Sequence, residues 1–332
     1  GVVTGVLTCA LPIYAPGNDM RYMDEKVKAS RNFANKLWNA SRFIMMNLPE
    51  DYELTGLPES LTIEDKWILT RFNDLCKAVT ENLDKFELGI AVSKLYDFIW
   101  DVYCDWYIEL TKPRIMAGGA TKESAQAVLV WVMQGMLKLL HPFMPFITEE
   151  IWQALTGGKT PIMLERYPEF DPALDYRADA DAFEKVIAAI SAIRNLRTSM
   201  NVPPSVKAKV CIETQDQELF RSCGMFFEKL AFASGVEVAS GFSMEDAATA
   251  VTDACRIFIP MDELVDKEKE LARLEKERAA VQKDLDFLGG KLSNQGFLAK
   301  APAKLIEAEQ AKLAKAKDKM EKIMQSIAGL KK

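Results

Sequence analysis

The chain has 332 residues, 49 % hydrophobic and 27 % charged, the composition of an ordinary globular protein with room for two or three domains. No apolar run reaches the ~20 uninterrupted residues that a membrane helix needs, and the mildly apolar start carries no basic leader, which argues against a membrane anchor and a secretory signal. The six cysteines form no CxxC pair and His141 is the only histidine, so a zinc site is not expected and reduced thiols in a cytoplasmic protein are.

Residues 1–14 (GVVTGVLTCALPIY) match poorly with the rest of the chain and read as an atypical segment that need not be native. From residue 18 to residue 48 an amphipathic helix is predicted, with Phe33, Leu37, Ile44 and Leu48 as its apolar stripe and Pro49 as its stop. A second helix is predicted over 62–82. A third covers 85–110 and is dense in aromatics, among them Phe86, Tyr96, Phe98, Trp100, Tyr103, Trp106 and Tyr107. Another helix over 123–140 continues through a break at Pro142 and Pro145, so that residues 15–165 read as a helical bundle. The Gly-, Pro- and Thr-rich stretch 156–175 reads as a linker, and 179–201 as a helix closed by Asn201 and the Pro203–Pro204 pair.

The period then changes to two over 207–213, 236–239 and around 252–260, so that residues 166–261 read as a small α+β module. From residue 262 a heptad pattern takes over, through Leu264, Leu271, Leu274, Val281, Leu285, Leu288 and Leu292. GGKLSNQGFLAKAP interrupts it, and Ile306, Leu313, Ala316, Met320, Ile323, Ile327 and Leu330 resume it. The expectation for 262–332 is an antiparallel coiled-coil hairpin, too slender to be a core, serving either to reach or to dimerise. The expected fold class is thus mainly α: a bundle, a small α+β connecting module and the hairpin.

No catalytic constellation is visible. A nucleophile never meets a second histidine, GxSxG and HExxH are missing, and Gly158-Lys159-Thr160 lacks the first glycine of a phosphate loop. His141 reads as a packed or capping residue, and Glu149 and Glu150 as solvated. Binding chemistry is better represented. The net charge of −6 is uneven: residues 289–332 hold ten Lys/Arg against four Asp/Glu, leaving −12 for the rest. A basic tail suits a local polyanion contact, but charge alone favours a solvated helix face. In the first helix Lys36, Asn39 and Phe43 share one face, flanked by Arg31, Asn35 and Arg42. Ammonium, amide and ring together can touch phosphate, read a base edge and stack on an unpaired base, as in recognition of single-stranded RNA loops. Periodicity alone favours Lys and Asn as solvent decoration with Phe43 in the core.

APGNDMRYMDEKVKASRNFANKLWNASRF (15–43) resembles the start of the anticodon-binding helical domain of bacterial-type valyl-tRNA synthetases. LDKFELGIAVSKLYDFIWDVYCDWYIELTKPR (83–114) and LLHPFMPFITEEIWQ (139–153) resemble its next landmarks, the latter shared with isoleucyl and leucyl relatives. IRNLRTSMNVPPSVKAKV (193–210) and GKLSNQGFLAKAP (290–302) point to the valine branch; an isoleucyl relative, the alternative within the subclass, would be expected to end in a cysteine-rich zinc module. The resemblance implies that the full enzyme joins valine to its tRNA with ATP and magnesium, in a domain bearing HIGH and KMSKS that this chain lacks. It implies no cofactor and no catalytic residue in this chain, which is expected to be inactive alone. It also implies that Arg31, Asn35, Lys36, Asn39, Arg42 and Phe43 face the anticodon, and that Lys291, Asn294, Phe297, Lys300 and Lys304 meet the outer corner of valine tRNA. A monomer is expected; a dimerising coiled-coil protein and an enzyme with an unrecognised site are the rival readings.

Overall fold

The structure, a computed structural model, describes residues 24–244, 246–264, 267–293 and 303–330. The chain divides into two compact units, Gly1–Ile190 and Ser191–Lys332.

In the first unit, helix α1 (Asp24–Met46) buries Phe33, Leu37, Ala40 and Ile44, a stripe at spacings of three and four. Residues 18–23, where the sequence would open this helix, lie outside the described residues. Helix α2 (Ile63–Asp84) starts at Thr62, whose backbone N–H donates to the Asp65 carboxylate at 3.3 Å. It buries Trp67, Ile68, Phe72, Leu75 and Val79, and the Trp67 indole N–H donates to Glu184 at 2.8 Å. The aromatic stretch is longer than its pattern suggests. It forms α3 (Leu88–Asp97), a π-helical stretch (Phe98–Tyr107) and α4 (Ile108–Ala117), running past Pro113 to the positive-φ Gly118. Helix α5 (Gly119–Leu140) packs so closely on α2 that a Cβ at Gly135 would run into the Phe72 ring.

Helix α6 (Pro145–Thr156) begins with proline in its first turn and ends at left-handed Gly157. The His141 ring Nδ1 lies 2.7 Å from the Thr148 hydroxyl. Residues 157–176 are more than a linker. Short 3₁₀ turns at Ile162–Leu164 and Pro172–Leu174 strap them to the bundle: Asn73 donates to the Asp171 carbonyl at 2.7 Å and accepts its N–H at 2.8 Å. Glu149, read as solvated, accepts the Ile162 N–H at 3.1 Å and helps hold this strap.

Helix α7 (Arg177–Ser199) is followed by a turn at Asn201, where φ is +54°. The second unit contains β1 (Ala208–Thr214), short helices α8 (Gln217–Ser222) and α9 (Gly224–Leu230), β2 (Ala233–Ala239), β3 (Ala247–Val251) and β4 (Cys255–Pro260). The sheet order is β2-β1-β4-β3, parallel between β1 and β2 and antiparallel elsewhere. The stretch read as one strand around 252–260 is the outgoing arm of a hairpin whose incoming arm, β3, the sequence reading missed. AATAV offers a strand-former only at its end and at Thr249, so its pattern is faint.

Helix α10 (Met261–Leu264) follows β4 directly and packs on β1 and β4, with its Leu264 buried. The heptad reading of Leu264 is thereby corrected: it belongs to the sheet module. The seam proper joins α11 (Lys267–Ser293) to α12 (Ala303–Leu330). Leu274, Val281, Ile323 and Ile327 are buried in it, with Leu271, Leu285, Ala316 and Met320 packed alongside. Ion pairs Lys319–Glu277 at 2.8 Å and Lys291–Glu309 at 3.4 Å, early with late along the two helices, make the pair antiparallel.

Candidate nucleic-acid interface

At 100° per residue, Arg31, Arg42, Asn35 and Asn39 fall on one strip of α1 opposite its buried stripe, and all four are exposed. Phe43 and Lys36 lie at the margin of that strip, half-buried, where α1 meets the π-helical stretch and α4. Of the expected centre, Asn39 lies on the open surface with the expected flanks Arg31, Asn35 and Arg42, while Lys36 and Phe43 form its wall. The reason is amphipathicity, since a residue one helical step from the stripe must share its contacts.

Lys36 and Phe43 are held there by residues that the sequence reading did not assign to the site. The Lys36 ammonium stands 2.6 Å from the Asp105 carboxylate and 3.8 Å from the centroid of the Trp100 ring. Trp100 stacks on Tyr96 with centroids 5.7 Å apart, and Tyr96 on Phe33 at 4.8 Å. Lys112 lies 5.6 Å over the Phe43 ring while it binds Glu109 at 2.5 Å. Burial, and behind it Asp101, raise the Asp97 carboxyl above its ordinary value. The aromatic density of 96–107 was the available signal. The π-helical stretch shifts the helical phase, so periodicity could not tell which of these side chains faces α1.

Behind the wall, Arg114 ties three segments together: α4, the start of α2 and the end of the π-helical stretch. Its guanidinium donates to Asp65 at 2.7 and 2.9 Å, to Glu64 at 3.0 Å and to the Thr62 hydroxyl at 3.0 Å, and the Tyr107 hydroxyl adds a bond to Asp65 at 2.7 Å. All five residues but Thr62 are buried, so this network fixes the bundle and offers no free charge to a ligand.

On the hairpin, Lys291 is half-buried and pairs with Glu309, which also binds Lys312 at 3.1 Å. Hydrogen bonding from Lys312 and the charge of Lys291 hold the Glu309 carboxyl below its ordinary value. Asn294, Phe297 and Lys300 lie outside the described residues, as does the side chain of Lys304, whose backbone sits in the first turn of α12. Among the described residues no cluster of His, Cys, Asp and Glu could hold a metal ion, and no helix is long and apolar enough to cross a membrane.

Two family profiles match the chain: the anticodon-binding domain of tRNA ligase over residues 65–212, and the valyl tRNA synthetase tRNA binding arm over residues 266–331. A valine--tRNA ligase of Clostridium acetobutylicum is 45 % identical over 326 residues, covering 96 % of this chain and 37 % of its own length. The enzyme of Clostridium tetani is 45 % identical with the same coverage, and that of Bacillus cereus ATCC 14579 is 39 % identical over 324 residues. A solved chain from a LeuRS–tRNA–LeuAMS complex of Agrobacterium radiobacter K84 matches 52 % of this chain and 20 % of its own at a TM-score of 0.42 and 18 % identity, too remote to add to the assignment. The chain spans little more than a third of the length of the valine--tRNA ligases it matches. With two ordered profiles and this identity along nearly its whole length, the chain belongs to the valine--tRNA ligase family and corresponds to the C-terminal third of its members.

Proposed function

We propose that this chain is the tRNA-gripping portion of an enzyme that attaches valine to its tRNA with ATP and magnesium in the cytoplasm. Residues 15–165 form the anticodon-binding bundle, 166–261 a connecting α+β module and 262–332 a coiled-coil arm; 1–14 stand apart. The observation that carries the reading is the pair of profile matches, over residues 65–212 and 266–331, together with 45 % identity to a valine--tRNA ligase along 96 % of the chain, the α1 strip included. On the bundle, the strip of Arg31, Asn35, Asn39 and Arg42 with its wall of Lys36 and Phe43 receives the anticodon loop. Guanidinium groups meet phosphates there, amides read base edges and the ring offers a stacking face. On the hairpin, Lys291, Asn294, Phe297, Lys300 and Lys304 meet the outer corner of the same tRNA. The chain acts as a monomer and carries no residue of the aminoacylation step.

Titration of the chain with valine tRNA and with an anticodon-altered variant tests this. Tighter binding of the first is expected, and Asn39→Ala should narrow the difference. Equal affinity for both RNAs would remove the anticodon assignment. Equal loss for both on Asn39→Ala would reduce that residue to general positioning. ATP–pyrophosphate exchange with valine is expected to be nil, and measurable exchange by this chain would reinstate an unrecognised active site.

A further inference from the structure

Lys36 is held in a way that a phosphate-seeking lysine is not. Its ammonium faces a carboxylate at 2.6 Å and an indole ring at 3.8 Å, yet its side chain keeps 22 % of its exposure. Asp105, 52 % exposed, is not itself buried in a structural network. Its neighbour Trp100 is fixed by the stack through Tyr96 to Phe33, so the clamp is anchored in the core by Phe33, which is 2 % exposed. A lysine neutralised by a carboxylate adds little to the long-range field that attracts a polyanion. It still has N–H donors to spare, because an ammonium carries three. Immobilised between two partners, it can offer one of them at a fixed place with little ordering entropy left to lose.

We propose that Asp105 and Trp100 turn Lys36 from a general phosphate-binding cation into a fixed hydrogen-bond donor to a base edge of the RNA loop. Asp105 is thereby a positioning residue for sequence discrimination. The proposal rests on the reading that the α1 strip faces the anticodon loop. It departs from the simple expectation that every lysine of an RNA-binding surface works by charge.

The test measures the affinity of the 332-residue chain for two synthetic RNA hairpins, one carrying a valine anticodon and one with its middle base changed, over a range of salt. Lys36→Met keeps an apolar stem over Trp100 and removes the ammonium. It should reduce the preference for the valine hairpin by on the order of tenfold, the scale of one specific hydrogen bond. The dependence of log affinity on log salt should stay as it was. Asp105→Asn frees the lysine: preference should fall similarly, while the salt dependence steepens by roughly 0.7, the increment for one added phosphate contact on a single strand. Asp105→Glu should restore part of the preference, which a merely structural role for Asp105 would not require. A salt dependence that flattens by roughly 0.7 in Lys36→Met would make Lys36 a phosphate contact and overturn the proposal; so would an unchanged preference in Asp105→Asn. Should Asp105→Asn fail to fold, as read by its thermal midpoint, Lys36→Met alone decides. Failure of the anticodon reading looks different: the unaltered chain would then bind both hairpins equally.

Discussion

At the scale of single residues, the sharpest energetic commitment is the buried Arg114. Its carboxylate partners Asp65 and Glu64 are 0 % and 4 % exposed, so removing the cation strands both in low dielectric. Arg114→Met should therefore destabilise the chain by about 3–5 kcal/mol, measurable by denaturant unfolding monitored at the tryptophans. Its two acids are not equivalent. Burial first, then the charge of Asp65, raise the Glu64 carboxyl above its ordinary value of 4.5, with Arg114 opposing them. A carboxyl raised in the folded state contributes stability below its unfolded value and loses it as pH rises through the folded value. Glu64→Gln should accordingly be tolerated far better than Asp65→Asn at neutral pH. It should also gain on the unaltered chain as pH climbs above 4.5, and a deficit that widens with rising pH would contradict this account of Glu64. In the sequence, Glu64 and Asp65 look like ordinary acids in a first helical turn, because nothing local announces an arginine fifty residues later.

Elements show where pattern and packing part company. The stripes of α1 and α2 follow their periodicity because each helix buries one face against the bundle. Gly135 illustrates the opposite case: mid-helix glycine reads as a weak spot, yet it lets α5 approach the Phe72 ring. Gly135→Ala should cost about 1–3 kcal/mol by overpacking, in spite of alanine's better helix propensity. A rise in melting temperature would mean that the ring moves aside freely. Among the described residues, the buried apolar side chains of the two helices all lie in their seam. Ile323→Asp, which buries a charge beside Leu274, Val281 and Ile327, should melt α11 and α12 together while leaving the bundle intact. Circular dichroism would then show a partial loss of helix with unchanged near-ultraviolet signal from the tryptophans, all of which precede residue 153.

For the molecule as a whole, charge is distributed against its total. A body at −12 with a tail at +6 should bind RNA through local contacts that weaken with salt. Replacing Lys300 and Lys304 together with alanine is expected to flatten the salt dependence of tRNA binding by roughly 1.4–1.8, two contacts' worth, with anticodon preference unchanged. An unaltered salt dependence would take the arm's tip out of the interface. Sedimentation should give a monomer, since α11 and α12 satisfy their apolar seam on each other within one chain. A dimer would revive the structural coiled-coil reading.

The amino-acid sequence by itself determined the family, the helical character of residues 24–199, the change to strands near residue 207 and the two arms of the hairpin. These rest on local period and ordered motifs, which need no knowledge of what lies opposite. Only tertiary structure decided that Lys36 is clamped by Asp105 and Trp100, that Leu264 serves the sheet, that Glu149 holds a strap, and that AATAV is a strand. Each of those outcomes depends on a partner distant in sequence. A side chain's periodicity says which way it points along its own element; the charge, ring or strand waiting there is set by how the elements pack.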